Sequence, residues 1–218
     1  MKTLIFDLDG TILDTIIDLS EAVNYALVHF NMPKVDVEHV RKSIGNGTKV
    51  LIKKCLPKNT TDEMREKVFD VFKDYYSIHC CDYTKPYPEI EEMLLKLKND
   101  FCLIVVSNKD HPLTLKIINR YFPNIFDVIQ GSYHDEPKKP HPYLISKILI
   151  ENDIKREDCL YIGDTDIDLA SANNAGIKYL LVNYGYRTKE ELEKMCPNDT
   201  SISNVSDLYQ KILTWKAL

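Results

Sequence analysis

Apolar residues along this chain fall into two kinds of run. Short, unbroken stretches occur at Thr3-Leu4-Ile5-Phe6, Cys102-Leu103-Ile104-Val105-Val106, Phe126-Asp127-Val128-Ile129, Cys159-Leu160-Tyr161-Ile162 and Tyr179-Leu180-Leu181-Val182. They lack the polar alternation of a half-exposed strand and so predict central strands covered on both faces. Between them, apolar positions recur at helical spacing: Ile90, Met93, Leu94 and Leu97; Leu113, Ile117, Ile118 and Tyr121; Tyr143, Ile145, Ile148 and Leu149; Ile167, Ala170 and Ala175. Strand and helix in alternation predict an α/β fold, a parallel sheet core flanked by helices on both faces.

One interval breaks the rhythm. Between the first strand and the helix starting near Pro88 lie about 75 residues with no strand pattern, far more than a crossover uses. Helical stripes fill it: Leu19, Ala22, Val23, Ala26, Leu27 and Phe30; Val50, Leu51 and Leu56; Met64, Val68, Phe69, Phe72 and Tyr76. Pro33, Gly45-Asn46-Gly47 and Pro57-Lys58-Asn59 punctuate them. Residues 14–84 are therefore expected to form an inserted all-helical domain, and 1–13 with 85–218 the α/β core. Beyond Arg187 the chain turns polar, with a last helix expected over 201–213.

Composition narrows the classes of function. The 218 residues are 44% hydrophobic and 28% charged with a formal net charge of -5, a globular and mildly acidic balance. It argues against an extended basic surface for a nucleic-acid polymer. No run of about 18 apolar residues is present to span a membrane. Phe6 is followed at once by Asp7, Leu8 and Asp9, which excludes a signal peptide there, so a cytoplasmic location is expected. The six cysteines lack CxxC spacing and are expected to be reduced. His111 and His141 have no spacing that suggests zinc.

In parallel sheets ligands bind off the carboxyl ends of the strands. The first strand ends in Asp7-Leu8-Asp9-Gly10-Thr11, two carboxylates that repel unless a cation relieves them; a hard, oxygen-seeking ion such as Mg²⁺ suits them. Another ends in Ser107-Asn108-Lys109-Asp110, a hydroxyl, an amide and an ammonium fit for an anion. Pro137-Lys138-Lys139-Pro140 places a proline-braced cation in a loop. A fourth strand end carries Gly163-Asp164-Thr165-Asp166-Ile167-Asp168, more carboxylates than helix-dipole preference explains. Each piece alone also reads as a turn, a cap or a solvated loop. Together they form one rim suited to a phosphoryl group held between Mg²⁺ and fixed donors.

With these motifs in this order, the sequence resembles the haloacid dehalogenase-like hydrolase superfamily, and within it the phosphoglycolate phosphatase-like branch with a helical cap. That resemblance implies a Rossmann-like core and a division of labour. Asp7 would be the nucleophile that forms an aspartyl-phosphate, and Asp9 the general acid and then general base. Ser107 and Asn108 would bind phosphoryl oxygens, and Lys139, next to its proline, would offset the charge of the transition state. Mg²⁺ would be held by Asp7, the backbone carbonyl of Asp9 and Asp164, with Asp168 ligating or orienting a metal-bound water. The cap would choose the substrate: Gly45, Asn46 and Gly47 resemble a cap loop facing the site, and Arg41, Lys49 and Lys109 are candidate cations for a second anionic group. The expected partner is a small phosphorylated metabolite, phosphoglycolate by name. Pyrophosphatase, nucleotidase and sugar-phosphate phosphatase or mutase activities are the alternatives within the superfamily, and a non-catalytic binding module is the alternative outside it. A monomer and a homodimer fit the sequence equally.

Overall fold

A strand buried on both faces must have its backbone paired on both edges, and the first strand meets that condition. In the computed structural model, which describes residues 1–197 and 200–217, β1 (Thr3–Phe6) is buried throughout. After it the chain runs through β2 (Leu13–Asp14), α1 (Ile16–His29), α2 (Val37–Ser43), α3 (Thr48–Cys55), α4 (Asp62–His79) and β3 (Lys85–Pro86). It then alternates: α5 (Ile90–Leu97), β4 (Cys102–Asp110), α6 (His111–Tyr121), β5 (Val128–Ser132), α7 (Tyr143–Glu151), β6 (Cys159–Gly163), α8 (Asp166–Ala175) and β7 (Lys178–Val182). It ends in α9 (Lys189–Met195), β8 (Ser201–Ile202) and α10 (Val205–Lys216).

The sheet has the order β5-β4-β1-β6-β7-β8 with every neighbouring pair parallel. Successive side chains of a strand point to opposite faces, which sorts the core into two layers. Ile5, Ile104, Val106 and Tyr161 pack with Leu144, Ile148 and Ala172 of α7 and α8. Leu4, Phe6, Leu103, Val105 and Ile162 pack on the other face with residues of α5, α6 and α10. This is the parallel core expected from the apolar runs, and it is Rossmann-like as the resemblance implies. The six cysteines are unbridged. Among the described residues, no helix is long and apolar enough to cross a membrane.

Helices α1 to α4 form the helical insertion, between β2 and β3. Those two strands pair antiparallel, Leu13 with Pro86 and Asp14 with Lys85, so the chain leaves and re-enters the core side by side. Asp18 of α1, 2% exposed, ties the crossing further. It accepts from the Tyr83 and Thr84 amides, each at 2.9 Å, and from Thr84 Oγ1 at 2.7 Å. Such a buried carboxylate is tolerable because each oxygen is met.

Two sequence expectations shift. The run expected from Phe126 as a central strand covered on both faces begins at Val128, after Asp127 has accepted from the Leu103 amide at 2.8 Å, and it forms the sheet edge, with Val128 and Ile129 half-buried. The last helix starts at Val205, capped by Asn204, and runs to Lys216, while Ser201–Ile202 joins the sheet edge as β8. Helices α2 and α9 and strands β2 and β3 have no counterpart in the sequence reading.

Candidate active site

Strand register brings the acidic residues together. β1 pairs with β6 so that Phe6 lies opposite Ile162, and the Asp7 amide donates to the Ile162 carbonyl at 2.9 Å. Asp7 therefore stands beside Asp164, one residue past β6. Asp168 comes in from the first turn of α8, whose start is fixed by a reciprocal box between Thr165 and Asp168. Among the described residues, oxygens of Asp7, Asp164 and Asp168 lie within 4.8 Å of one another, and all three residues are buried. Gly10 makes room for this: its φ is +87°, and a Cβ there would sit 2.3 Å from Asp164 Oδ2.

Around the carboxylates the donors are specific. Asp164 accepts from Thr11 Oγ1 at 2.9 Å and from the Tyr186 amide at 2.7 Å. Lys139 Nζ reaches Asp7 Oδ1 at 2.7 Å, Asp168 Oδ1 at 2.8 Å and Tyr161 Oη at 2.9 Å. Asn108 holds the lysine's backbone from both sides, accepting from the Lys139 amide at 2.7 Å and donating to its carbonyl at 2.9 Å. The peptide bond from Lys139 to Pro140 is cis.

One ammonium does not balance three buried carboxylates. Burial, then the nearby Asp168, pushes the Asp7 carboxyl up to about 7 against the opposing pull of Lys139. Burial and the charges of Asp168 and Asp7 hold Asp164 well above the usual carboxylate range. Lys139 would be depressed by burial, yet Asp168 and Asp7 keep its ammonium well above the ordinary lysine value. An all-oxygen donor set with excess negative charge is the chemistry that Mg²⁺ satisfies, so the residues fit that ion.

Asp9 faces a different set. Its Oδ1 accepts from Thr15 Oγ1 at 2.6 Å and pairs with Lys109 Nζ at 3.0 Å. Lys109, 4% exposed, also donates to Tyr76 Oη of α4 at 2.8 Å, joining core to insert. Ser107, Asn108 and Lys109 stand where the pairing of β4 with β5 shifts register, an irregularity that re-aims side chains at a sheet end.

A cavity of about 40 Å³ lies over these groups. The core lines it with Asp7, Asp9, Ser107, Asn108, Lys109, Lys139 and Thr165, and the insert with Leu19, Ile44, Gly45, Gly47, Thr48 and Leu51. Gly45 and Gly47 line the cavity, as does Lys109, whose ammonium is paired with Asp9. Arg41, Asn46 and Lys49 are not among the lining residues. Arg41 is spent on Glu38 at 2.7 Å and on Glu191 at 2.9 Å. Lys49 pairs with Glu66 at 2.9 Å and lies over the Phe69 ring. In this structure both cations face acidic partners within the chain and not the cavity. Thr15, Tyr76, Tyr161 and Tyr186 are site neighbours that the sequence reading did not single out. Only the Thr165-to-Asp168 box carried a sequence signal, a threonine three residues before an acid at a helix start.

Comparison with known proteins agrees with this geometry. A family model for haloacid dehalogenase-like hydrolases matches residues 4–182. The chain is 36% identical to a phosphoglycolate phosphatase of Aquifex aeolicus over 210 residues, covering 95% of each chain. It is 30% identical to the Vibrio parahaemolyticus phosphoglycolate phosphatase, covering 97% of this chain and 96% of that one. A crystal structure from Lactobacillus delbrueckii subsp. bulgaricus, of a candidate phosphoglycolate phosphatase, superposes with a TM-score of 0.88 at 31% identity, over 97% of this chain and 99% of that one.

Proposed function

The chain belongs to the haloacid dehalogenase-like hydrolase family, and on that premise we propose that it hydrolyses small phosphomonoesters, phosphoglycolate foremost, through an aspartyl-phosphate on Asp7. The observation that carries this reading is the convergence of Asp7, Asp164 and Asp168, with oxygens within 4.8 Å of one another, and of Lys139, paired with Asp7 and Asp168, under a small cavity.

In this scheme an Asp7 carboxylate oxygen attacks phosphorus and the bond to the leaving oxygen breaks. Asp9 delivers a proton to that oxygen. It then removes a proton from the water that attacks phosphorus and returns Asp7 to its free carboxylate. The contacts of Asp9 suit that double duty, since Thr15 and Lys109 both hold Oδ1 and so orient the carboxyl group. Ser107 and Asn108 face the cavity from the end of β4, where phosphoryl oxygens would be bound. Lys139 would offset charge on Asp7 and the transferring group while Asn108 fixes its backbone. Mg²⁺, held by Asp7, Asp164, the Asp9 carbonyl and directly or through water by Asp168, would supply the positive charge the carboxylates need and favour the ionised nucleophile. Helices α1 to α4, within 14–84, would serve as the cap, and 1–13 with 85–218 as the catalytic core.

The insert sets Leu19, Ile44 and Leu51 over the carboxylates, an apolar wall that supports a compact phosphoester as the substrate. The test is inorganic phosphate release from phosphoglycolate, pyrophosphate, nucleoside monophosphates and hexose phosphates, with Mg²⁺ or EDTA. Highest kcat/KM on phosphoglycolate, lost with EDTA and with Asp7→Asn, is expected. Preference for another member of the panel would overturn the substrate, and no release from any of them would overturn the phosphatase reading.

A further inference from the structure

Insert and core meet beside the cavity through two arginines that reach in opposite directions. Arg41, in α2 of the insert, donates Nη1 to the carbonyl of Tyr186 in the core. The same guanidinium makes a two-pronged pair with Glu191 of α9, Nη1 to Oε2 and Nη2 to Oε1, each at 2.9 Å. Arg187, in the core, reaches back. Its Nη1 donates to the Arg41 carbonyl at 3.2 Å and its Nη2 to the Ile44 carbonyl at 3.1 Å. Those carbonyls lie at the carboxyl end of α2, where acceptors are left over and a cation is favoured. Arg187 is 6% exposed, with Asp166 Oδ1 3.7 Å from its Nε. The two carbonyls meet Nη1 and Nη2, while Nε makes no hydrogen bond among the described residues, so the nearby Asp166 charge offsets part of the cost of burying the guanidinium.

What the two arginines hold is adjacent to the chemistry. Ile44 leads into the 44–47 loop, and Ile44, Gly45 and Gly47 all line the cavity. The core holds the loop's other side through Asn108, whose amide donates to the Gly45 carbonyl at 2.9 Å. On the core side, the residue preceding Arg187 is Tyr186. Its amide donates to Asp164, and its hydroxyl lies 2.7 Å from Thr15 Oγ1, which holds Asp9. One short core segment thus touches the acidic cluster, the Asp9 support and the helix that carries the cavity wall.

We propose that Arg41 and Arg187 are positioning residues forming a reciprocal latch, which holds the 44–47 loop closed over the reactive carboxylates and opens to admit substrate and release product. Neither arginine touches the reacting atoms. Both act through the loop, by setting how often the cavity wall is in place. Apparent affinity falls in proportion to the closed fraction, so loosening the latch raises KM, while kcat changes little once bound substrate has restored closure. The kinetic half of the proposal rests on the phosphatase reading; the structural half does not.

Hydrogen exchange and steady-state kinetics on the full chain test it together, with Arg41→Met, Arg187→Met, Arg41→Lys and, as control, Lys42→Met, whose ammonium pairs with the exposed Glu38. Both methionine variants are expected to speed amide exchange about tenfold across 37–47, with the sheet unchanged, and to raise KM about tenfold with kcat within about threefold. Arg41→Lys should recover part of both effects, since a single ammonium still reaches Glu191. Lys42→Met should do nothing. Exchange unchanged over 37–47, or raised uniformly through the chain, would overturn the latch. Exchange raised locally with KM unmoved would overturn its tie to the site. If none of the phosphoesters is turned over, the exchange result still decides whether the latch exists, so the two failures are distinguishable.

Discussion

Lys139→Met removes an ammonium that three buried groups share while keeping most of the side chain's apolar stem. Asp7, Asp168 and Tyr161 lose contacts of 2.7, 2.8 and 2.9 Å at a position where Lys139 is only 4% exposed. Breaking a buried ion pair by removing one partner costs about 3–5 kcal/mol, and that is the expected loss of stability at pH 8 in EDTA. The sign of the pH dependence follows from Asp7. Its native carboxyl titrates near 7, above the ordinary value of 3.8, so the native state binds a proton that the unfolded chain releases. Native stability from this group therefore falls as pH rises from about 4 to about 7 and is level above that. Without the lysine the carboxyl holds its proton still more firmly, so the variant's deficit should shrink at pH 5, where the acid is neutral. At one fixed Mg²⁺ concentration the deficit at pH 8 should also shrink, because the variant has lost the ammonium that competes with the ion and so binds it more tightly; a site at 100 times its dissociation constant gains about 2.7 kcal/mol. Urea unfolding of wild type and variant at pH 5 and 8, with Mg²⁺ and with EDTA, measures all of this. A deficit equal at both pH values and indifferent to Mg²⁺ would refute the reasoning, because it would mean the lysine contributes packing and not charge.

Asp7→Asn should lower phosphate release by more than about a thousandfold. In EDTA it should be more stable than wild type at pH 8, with the advantage gone near pH 4, as thermal unfolding across that range would show. Gly10→Ala forces a Cβ within 2.3 Å of Asp164 Oδ2 at a φ of +87°. It is expected to cost about 1–3 kcal/mol and to weaken Mg²⁺ binding more than tenfold by calorimetry; unchanged Mg²⁺ affinity would show that Asp164 is free to move aside.

How legible each part was depends on how local its cause is. The runs at β1, β4 and β6 could be read directly, because a strand covered on both faces has no polar side to write into the chain. The stripes of α1, α3 and α4 marked the insertion for a similar reason, each burying one face. By contrast, β2, β3 and β8 are two residues long and carry no period, and α2 and α9 are seven residues long, marked by little beyond the caps Asp36 and Thr188. Asp7, Ser107, Lys139 and Asp164 were legible as polar residues ending apolar runs or braced by proline, since a parallel sheet brings its carboxyl ends to one rim.

The chain's own pattern therefore determined the α/β core, the place of the helical insertion and the acidic rim. Tertiary structure alone decided the partners of the long cations. Arg41 and Lys49 look from sequence like free charges beside a glycine loop, yet Arg41 is committed to Glu191, far along the chain, and Lys49 to Glu66 on the next helix. Lys109, equally ambiguous, is buried between Asp9 and Tyr76. A flexible stem of several rotatable bonds can place its charge many ångströms from its own backbone, so which acid it meets depends on how separate elements dock.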